Sequence, residues 1–175
     1  MTVNANSAAV RELEKGKLYA VLAYKGELAS WLWAFFIPDP SVSPIGSCGT
    51  IFHVVEGSPN SWKFVREVKE LLSSPLVVAI VQLGDIGFLG EYDKLVVGDD
   101  LQSIFGVVPV PVPDGNSPKY SEFSSRTWFL DMVTVLHDCG MVTCDDVWAL
   151  EREIRRCAFT AMDKYLQNKG EFSLH

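Results

Sequence analysis

A chain of 175 residues with 48% apolar and 11% aromatic residues is long enough for one domain with a real core and too apolar for a disordered state. A formal net charge of −7 argues against a phosphate-backbone partner, which needs clustered Lys and Arg, so nucleic acid is not expected. The opening residues carry no apolar signal region and no stretch reaches the roughly 18 apolar residues of a membrane span, so neither a secretory leader nor a membrane span is expected.

Residues 1–16 are polar and expected to be flexible, with a single domain over 17–170 and a short tail at 171–175. "KLYAVLAY" (17–24) reads as a strand ended by Lys25-Gly26. "SWLWAFFI" (30–37) is a second, aromatic-rich strand stopped by Pro38 and Pro40, and "TIFHVV" (50–55) a third. In "SWKFVREVKELL" (61–72) the apolar spacing fits a strand at first and a helix later, and a strand over 62–67 is favoured. "PLVVAIVQLG" (75–84) is a β-branched run bounded by Pro75 and Gly84, apolar enough for a central strand. "GEYDKLVVGDDLQSIFGVV" (90–108) is expected to be helical in two pieces broken near Gly98. The proline-rich "VPVPVPDGNSPKY" that follows cannot be helix.

Two helices close the chain. From Ser124 to Asp138, Trp128, Phe129, Met132, Val133 and Leu136 recur at helical spacing and make one buried face, with Gly140 as the stop. Thr143, with Asp146 three residues on, predicts the start of a second helix that ends near Gly170. Its apolar stripe is Val147, Leu150, Ile154, Ala158, Ala161 and Tyr165. Strands first and helices later is an α+β pattern: an antiparallel sheet of about five strands with helices packed on it.

The four cysteines (Cys48, Cys139, Cys144 and Cys157) form no CxxC pair. Cys139 and Cys144 have only His137 as a further neighbour, short of the closed four-ligand set of structural zinc. Reduced thiols in a cytoplasmic protein are expected, with no metal and no cofactor. The acidic pairs at 99–100 and 145–146 sit at predicted helix starts, where Asp is a favoured cap.

The ordered pieces "KLYAVLAYKG", "WLWAFFI", "GTIFHVVEG", "SWKFVRE", "PLVVAIVQLGDI", "LQSIFGVVPVP" and "SSRTWFLDMV" resemble an uncharacterised domain family found in fungi. That family in turn is similar to the NlpC-type and lecithin:retinol acyltransferase-like proteins, a permuted papain-like fold. In those proteins a strand histidine in an HWA motif activates a cysteine at a helix N-terminus, and a second histidine orients the first. The resemblance places Trp33 and Ala34 on the WA of that motif, so Leu32 stands at the base position. Trp128 aligns with the helix tryptophan, which puts Ser124 at the asparagine and Ser125 at the nucleophile. Only His53, at the orienting position, keeps its identity. Leucine cannot accept a proton, and a serine hydroxyl needs a base more than a thiol does, so thiol-hydrolase chemistry is not expected.

Each candidate also has a plain structural reading. Ser124 and Ser125 lie where a helix cap belongs, while Ser125 could instead donate to a ligand or act as a nucleophile. His53 on an apolar strand is either a buried, bonded histidine or an acid–base group facing the old cleft. Strand alternation puts Ser30, Leu32 and Ala34 on one face with Ile51, His53 and Val55, and Trp31, Trp33 and Phe35 on the other. Arg126, a cation in a first helical turn, opposes the helix dipole; it is read first as an exposed arginine, and otherwise as the partner of an anion such as Glu56, Asp131 or a ligand carboxylate.

The leading expectation is a repurposed scaffold whose old cleft holds a small apolar organic ligand. His53 and Ser125 would be its catalytic handles, and Ser30, Leu32, Ala34, Ile51, Ser124 and Arg126 its lining. Cofactor-free cyclisation or isomerisation in fungal secondary metabolism is what the resemblance suggests for it. The alternatives are a non-catalytic interaction module and a residual serine hydrolase or acyltransferase. A homo-oligomer is compatible with all three. A concave apolar pocket containing both His53 and Ser125 would favour ligand chemistry, and one filled by Leu32 and a neighbouring aromatic the interaction module.

Overall fold

The computed structural model describes residues 3–4, 12–26, 31–59, 61–92, 99–110 and 123–173. It is an α+β fold: five long strands and one two-residue edge strand form a single antiparallel sheet, with helices packed against it. The strands are β1 (Val3–Asn4), β2 (Lys17–Tyr24), β3 (Trp31–Pro38), β4 (Cys48–Ser58), β5 (Ser61–Glu70) and β6 (Val77–Asp85). The helices are α1 (Asp99–Phe105), α2 (Ser125–Asp138) and α3 (Val147–Ser173).

The spatial order is β1-β6-β2-β3-β4-β5, so the chain leaves the sheet at β5 and re-enters beside β2. In a flat sheet those strands would lie four spacings apart, about 19 Å. The link from Glu70 to Val77 could reach roughly 25 Å only if fully extended, and it contains turns. That link leaves little slack, and Leu71, anchored by its N–H to the Ser47 carbonyl at 3.1 Å, joins the apolar cluster on the side away from the helices.

Alternation along each strand divides the apolar side chains into two clusters. One holds Trp33, Phe35, Phe52, Val54 and their neighbours under α1, α2 and α3. Phe35 stacks on Phe129 at 4.4 Å, and Phe52 on Phe105 at 4.3 Å. Such pairs add about 0.5–1.5 kcal/mol each beyond the area they bury. The other cluster, on the opposite side, gathers Leu13, Tyr19, Val21, Ala34, Phe36, Ile51, Leu71, Val77 and Ile80. Both sides of the sheet are thus buried, which explains why β2, β3 and β6 read as continuous apolar runs.

Several boundaries differ from the sequence expectation for physical reasons. The ambiguous segment 61–72 is strand through Glu70, because β4 offers it a full ladder from Cys48↔Glu70 to Ser58↔Ser61. Lys63, Glu67 and Lys69 alternate along this edge strand and blunt it against pairing with another chain. Of the helix expected in two pieces over 90–108, the later piece is α1; Gly98 lies outside the described residues, as does most of the proline-rich stretch. The N-terminal segment expected to be flexible supplies β1, which pairs with β6, and the buried Leu13. Thr143 does not cap α3. Asp146 does, its Oδ1 accepting from the N–H groups of Trp148 and Ala149 at 3.0 and 3.2 Å. Gly140, at φ +79°, ends α2 as expected. Gly84 lies where a Cβ would collide with the Met141 carbonyl, so its small size lets the loop after α2 close on β6.

Candidate functional site

Helix α2 begins with a capping box. Ser124 is extended, at φ −152° and ψ 172°, and its Oγ accepts the Thr127 N–H at 3.2 Å. Thr127 Oγ1 in turn accepts the Ser124 N–H at 2.9 Å. Two donors that a helix start would otherwise leave orphaned are satisfied. Ser124 is the cap, and Ser125 is one residue inside the helix.

Ser125 is buried, at 3% exposure, and its Oγ accepts the Trp33 backbone N–H at 3.3 Å. The β3–β4 ladder runs only from Phe35↔Phe52 to Pro38↔Gly49, so β4 does not continue alongside Trp33. Ser125 takes the acceptor role of the missing strand and ties the start of α2 to β3. A nucleophile needs a neighbouring base to take its proton, and the hydrogen bonds of Ser125 among the described residues include none.

His53 lies on the other side of the sheet. Phe52 and Val54 point into the cluster beneath the helices, so Ile51 and His53 point away from it, as Ala34 and Leu32 do between Trp33 and Phe35. The alternation expected from sequence holds for the described residues, and Ser30 lies outside them. The helix bearing Ser125 packs on the tryptophan face, because the large aromatic surfaces of Trp33, Phe35 and Phe52 gain most from being covered. Alternation puts Leu32, Ala34, Ile51 and His53 on the side of the sheet away from the helices, while Ser125 meets β3 at its backbone, where β4 parts from it.

The surroundings of His53 are sparse in polar partners. Its Nε2 is 3.1 Å from Glu67 Oε1 on β5. The pairing of Ile51 with Glu67 and of His53 with Val65 makes that carboxylate its diagonal neighbour. Its Nδ1 is buried with no hydrogen-bond partner among the described residues, in a residue 5% exposed. Burial pushes the imidazole below its ordinary value, and the half-exposed Glu67 opposes that without reversing it.

Arg126 meets neither Glu56 nor Asp131. Its Nε donates to Glu151 Oε1 at 2.7 Å, and Arg155 approaches the same oxygen at 3.4 Å. Glu151 is 4% exposed. The Arg126 hydrogen bond is the main cause that holds its carboxyl below the usual range, against the opposing effect of burial. Glu151 is the residue that the sequence reading missed. Its signal was a carboxylate beside Leu150 and Ile154 on the inward side of α3, with Arg155 one turn on.

The outward side of α3 is different in kind. Arg152, Arg155, Arg156, Phe159, Thr160 and Asp163 line a shallow groove of about 340 Å3. Arg155 stands 6.0 Å over the Phe159 ring, whose edge-to-face partner is the buried Trp31 at 4.8 Å. One turn before the groove, Trp148 is 58% exposed, with Arg126 6.0 Å over its ring. Neither His53 nor Ser125 reaches this groove. Among the described residues no helix is long and apolar enough to cross a membrane, and no group of His, Cys, Asp and Glu is arranged to hold a metal ion. Compared with known proteins, the chain matches no family model, no curated sequence and no solved structure.

Proposed function

We propose that this chain is a non-catalytic interaction module, built on a scaffold of the permuted papain-like kind from which the nucleophile and base are gone. The observation that carries the reading is the fate of Ser125. Its buried hydroxyl is engaged by the Trp33 N–H, where β4 has parted from β3, and has no base among its hydrogen-bond partners in the described residues. A cyclase or isomerase working through this pair needs both groups turned to one substrate, whereas Ser125 Oγ is bonded to the Trp33 N–H and His53 Nε2 to Glu67. A serine hydrolase needs a base beside Ser125, and the residue aligned with that base is Leu32, which cannot accept a proton. The order of strands followed by a capped helix against β3 suits the scaffold, and the exposed Trp148 and Phe159 among arginines suit a protein partner.

The test pairs two measurements on the full chain. A fluorophosphonate probe leaves Ser125 unlabelled, and native mass spectrometry after incubation with cell extract finds no small molecule that wild type retains and His53→Ala loses. Labelling of Ser125, or such a molecule, would return the protein to the enzymes.

A further inference from the structure

Resting on the interaction-module reading, we propose that the outward groove of α3 docks an acidic segment of a partner protein, with carboxylates at Arg152 and Arg156 and an apolar side chain on Phe159. Charge is the first argument. The chain carries a net −7, yet three arginines converge on one groove with Asp163 as its acidic member. Arg155 is partly neutralised by Glu151 at 3.4 Å. Arg152 and Arg156 are exposed and have no carboxylate partner among the described residues, so their charge is open to an incoming anion.

Composition is the second argument. Trp148, Arg152, Arg155 and Phe159 follow one another at i, i+4, i+7 and i+11, a single stripe running about 16 Å along the helix. Exposed large apolar rings at 58% and 41% interleaved with arginine match the composition of binding hot spots, in which Trp and Arg are enriched. Phe159 packs edge-to-face with the buried Trp31 and carries Arg155 over its ring, so it is held in place and loses little freedom on binding.

Geometry sets the class of ligand. Arg152 and Arg156 are one turn apart, about 6 Å along the axis. That span fits two acidic residues at i and i+4 of a helical segment, or at i and i+2 of an extended one. A small anion would be held poorly in a groove this open, with its arginines spread over a turn. A nucleic acid would meet the repulsion of the acidic remainder of the chain.

The test is selection of a randomised 12-residue phage library on the full chain. Selected peptides are then measured by fluorescence anisotropy against wild type, Arg152→Glu/Arg156→Glu and Arg152→Lys/Arg156→Lys. Both positions are exposed, and an unchanged Tm verifies that the variants fold. The expected peptides carry two acidic residues flanking an apolar one. They lose roughly tenfold or more in affinity to the charge-reversed variant, keep most of it with the lysine variant, and weaken as salt rises. Peptides without acidic residues, or acidic peptides indifferent to the reversal, would overturn the groove while leaving an interaction module. Selection of no peptide would overturn the docking site, and with a retained small molecule it would overturn the module as well. A dimer in sedimentation that the charge reversal dissociates would assign the groove to a second copy of this chain and overturn the acidic partner.

Discussion

Both sides of the sheet bury apolar residues, the larger set beneath the helices, but they treat their polar groups differently. Among the described residues, the buried charge beneath the helices is Glu151, held by two arginines, and the buried donors without partners are the indole N–H groups of Trp31 and Trp128. On the other side the poorly satisfied group is the imidazole of His53. An indole does not titrate, whereas an imidazole does so near neutrality. The helix side therefore answers to acid far below neutrality, through Glu151, and the His53 side answers closer to it. The difference shows that a buried polar group need not be a catalytic one. Ser125 and Glu151 hold elements together, and their burial follows from that work.

The largest expected contrast is in packing. Phe129→Ala removes a ring stacked on Phe35 at 4.4 Å and tilted against Trp33 at 5.3 Å, and should cost roughly 3–5 kcal/mol in urea unfolding. Ile51→Val on the opposite side should cost only about 1 kcal/mol. A cost for Phe129→Ala below that of Ile51→Val would show that the helices are not the main cover of the sheet.

Next comes the buried ion pair. Glu151→Gln should cost about 2 kcal/mol at pH 7. This is less than for a fully buried pair, because the half-exposed arginines it leaves can be hydrated. Glu151 has its folded pKa below its ordinary 4.5. Its contribution is therefore complete above about 4.5 and disappears as pH falls through the folded value. The stabilities of wild type and variant should converge below that range, and a gap that persists undiminished at pH 2 would mean that the carboxylate charge is not what stabilises the helix pair.

Ser125→Ala should cost about 1–2 kcal/mol, since it strands the Trp33 N–H at a buried position. Ser124→Ala should cost about 1 kcal/mol through the lost cap. Equal hydrogen-exchange protection of the Trp33 amide in wild type and Ser125→Ala would remove Ser125 from that bond.

How much of this was legible beforehand depends on whether a feature is local. The strand at 17–24 is delimited by its own apolar run and by the turn at Lys25-Gly26, so its bounds need no knowledge of the rest. The helix at 125–138 declares itself by its aromatic stripe and by Gly140. The alternation of β3 and β4 was also local, and it predicted correctly which residues share a face. It could not say which face the helices would cover, because that depends on summed aromatic area across three strands and on where the chain returns as β6. The N-terminus of α3 shows the limit on a smaller scale. Thr143 and Asp146 both have capping side chains, and the choice falls to Asp146 because the residues before it are drawn off by α2, where the Cys144 N–H donates to His137 Nδ1 at 3.2 Å. Glu151 was invisible as a site because its partner Arg126 is 25 positions away.

The smallest expected effect tests the His53 side. Burial lowers the folded pKa of His53 below its ordinary 6.5, so the unfolded chain binds more protons between those two values. Stability should then fall as pH drops below about 6.5 and level off once the folded pKa is passed. His53→Leu removes the titrating group and the stranded Nδ1 together, at the cost of a contact to a carboxylate that is itself 47% exposed. Near pH 8 the variant should lie within about 1 kcal/mol of wild type. It should gain on wild type as pH falls from 6.5 towards 5, a range that Glu151 leaves nearly flat. Thermal melts of both proteins at half-unit steps measure this directly. Parallel curves over that interval would mean that the imidazole takes up its proton without cost, and that its side of the sheet is as indifferent to neutral pH as the side beneath the helices.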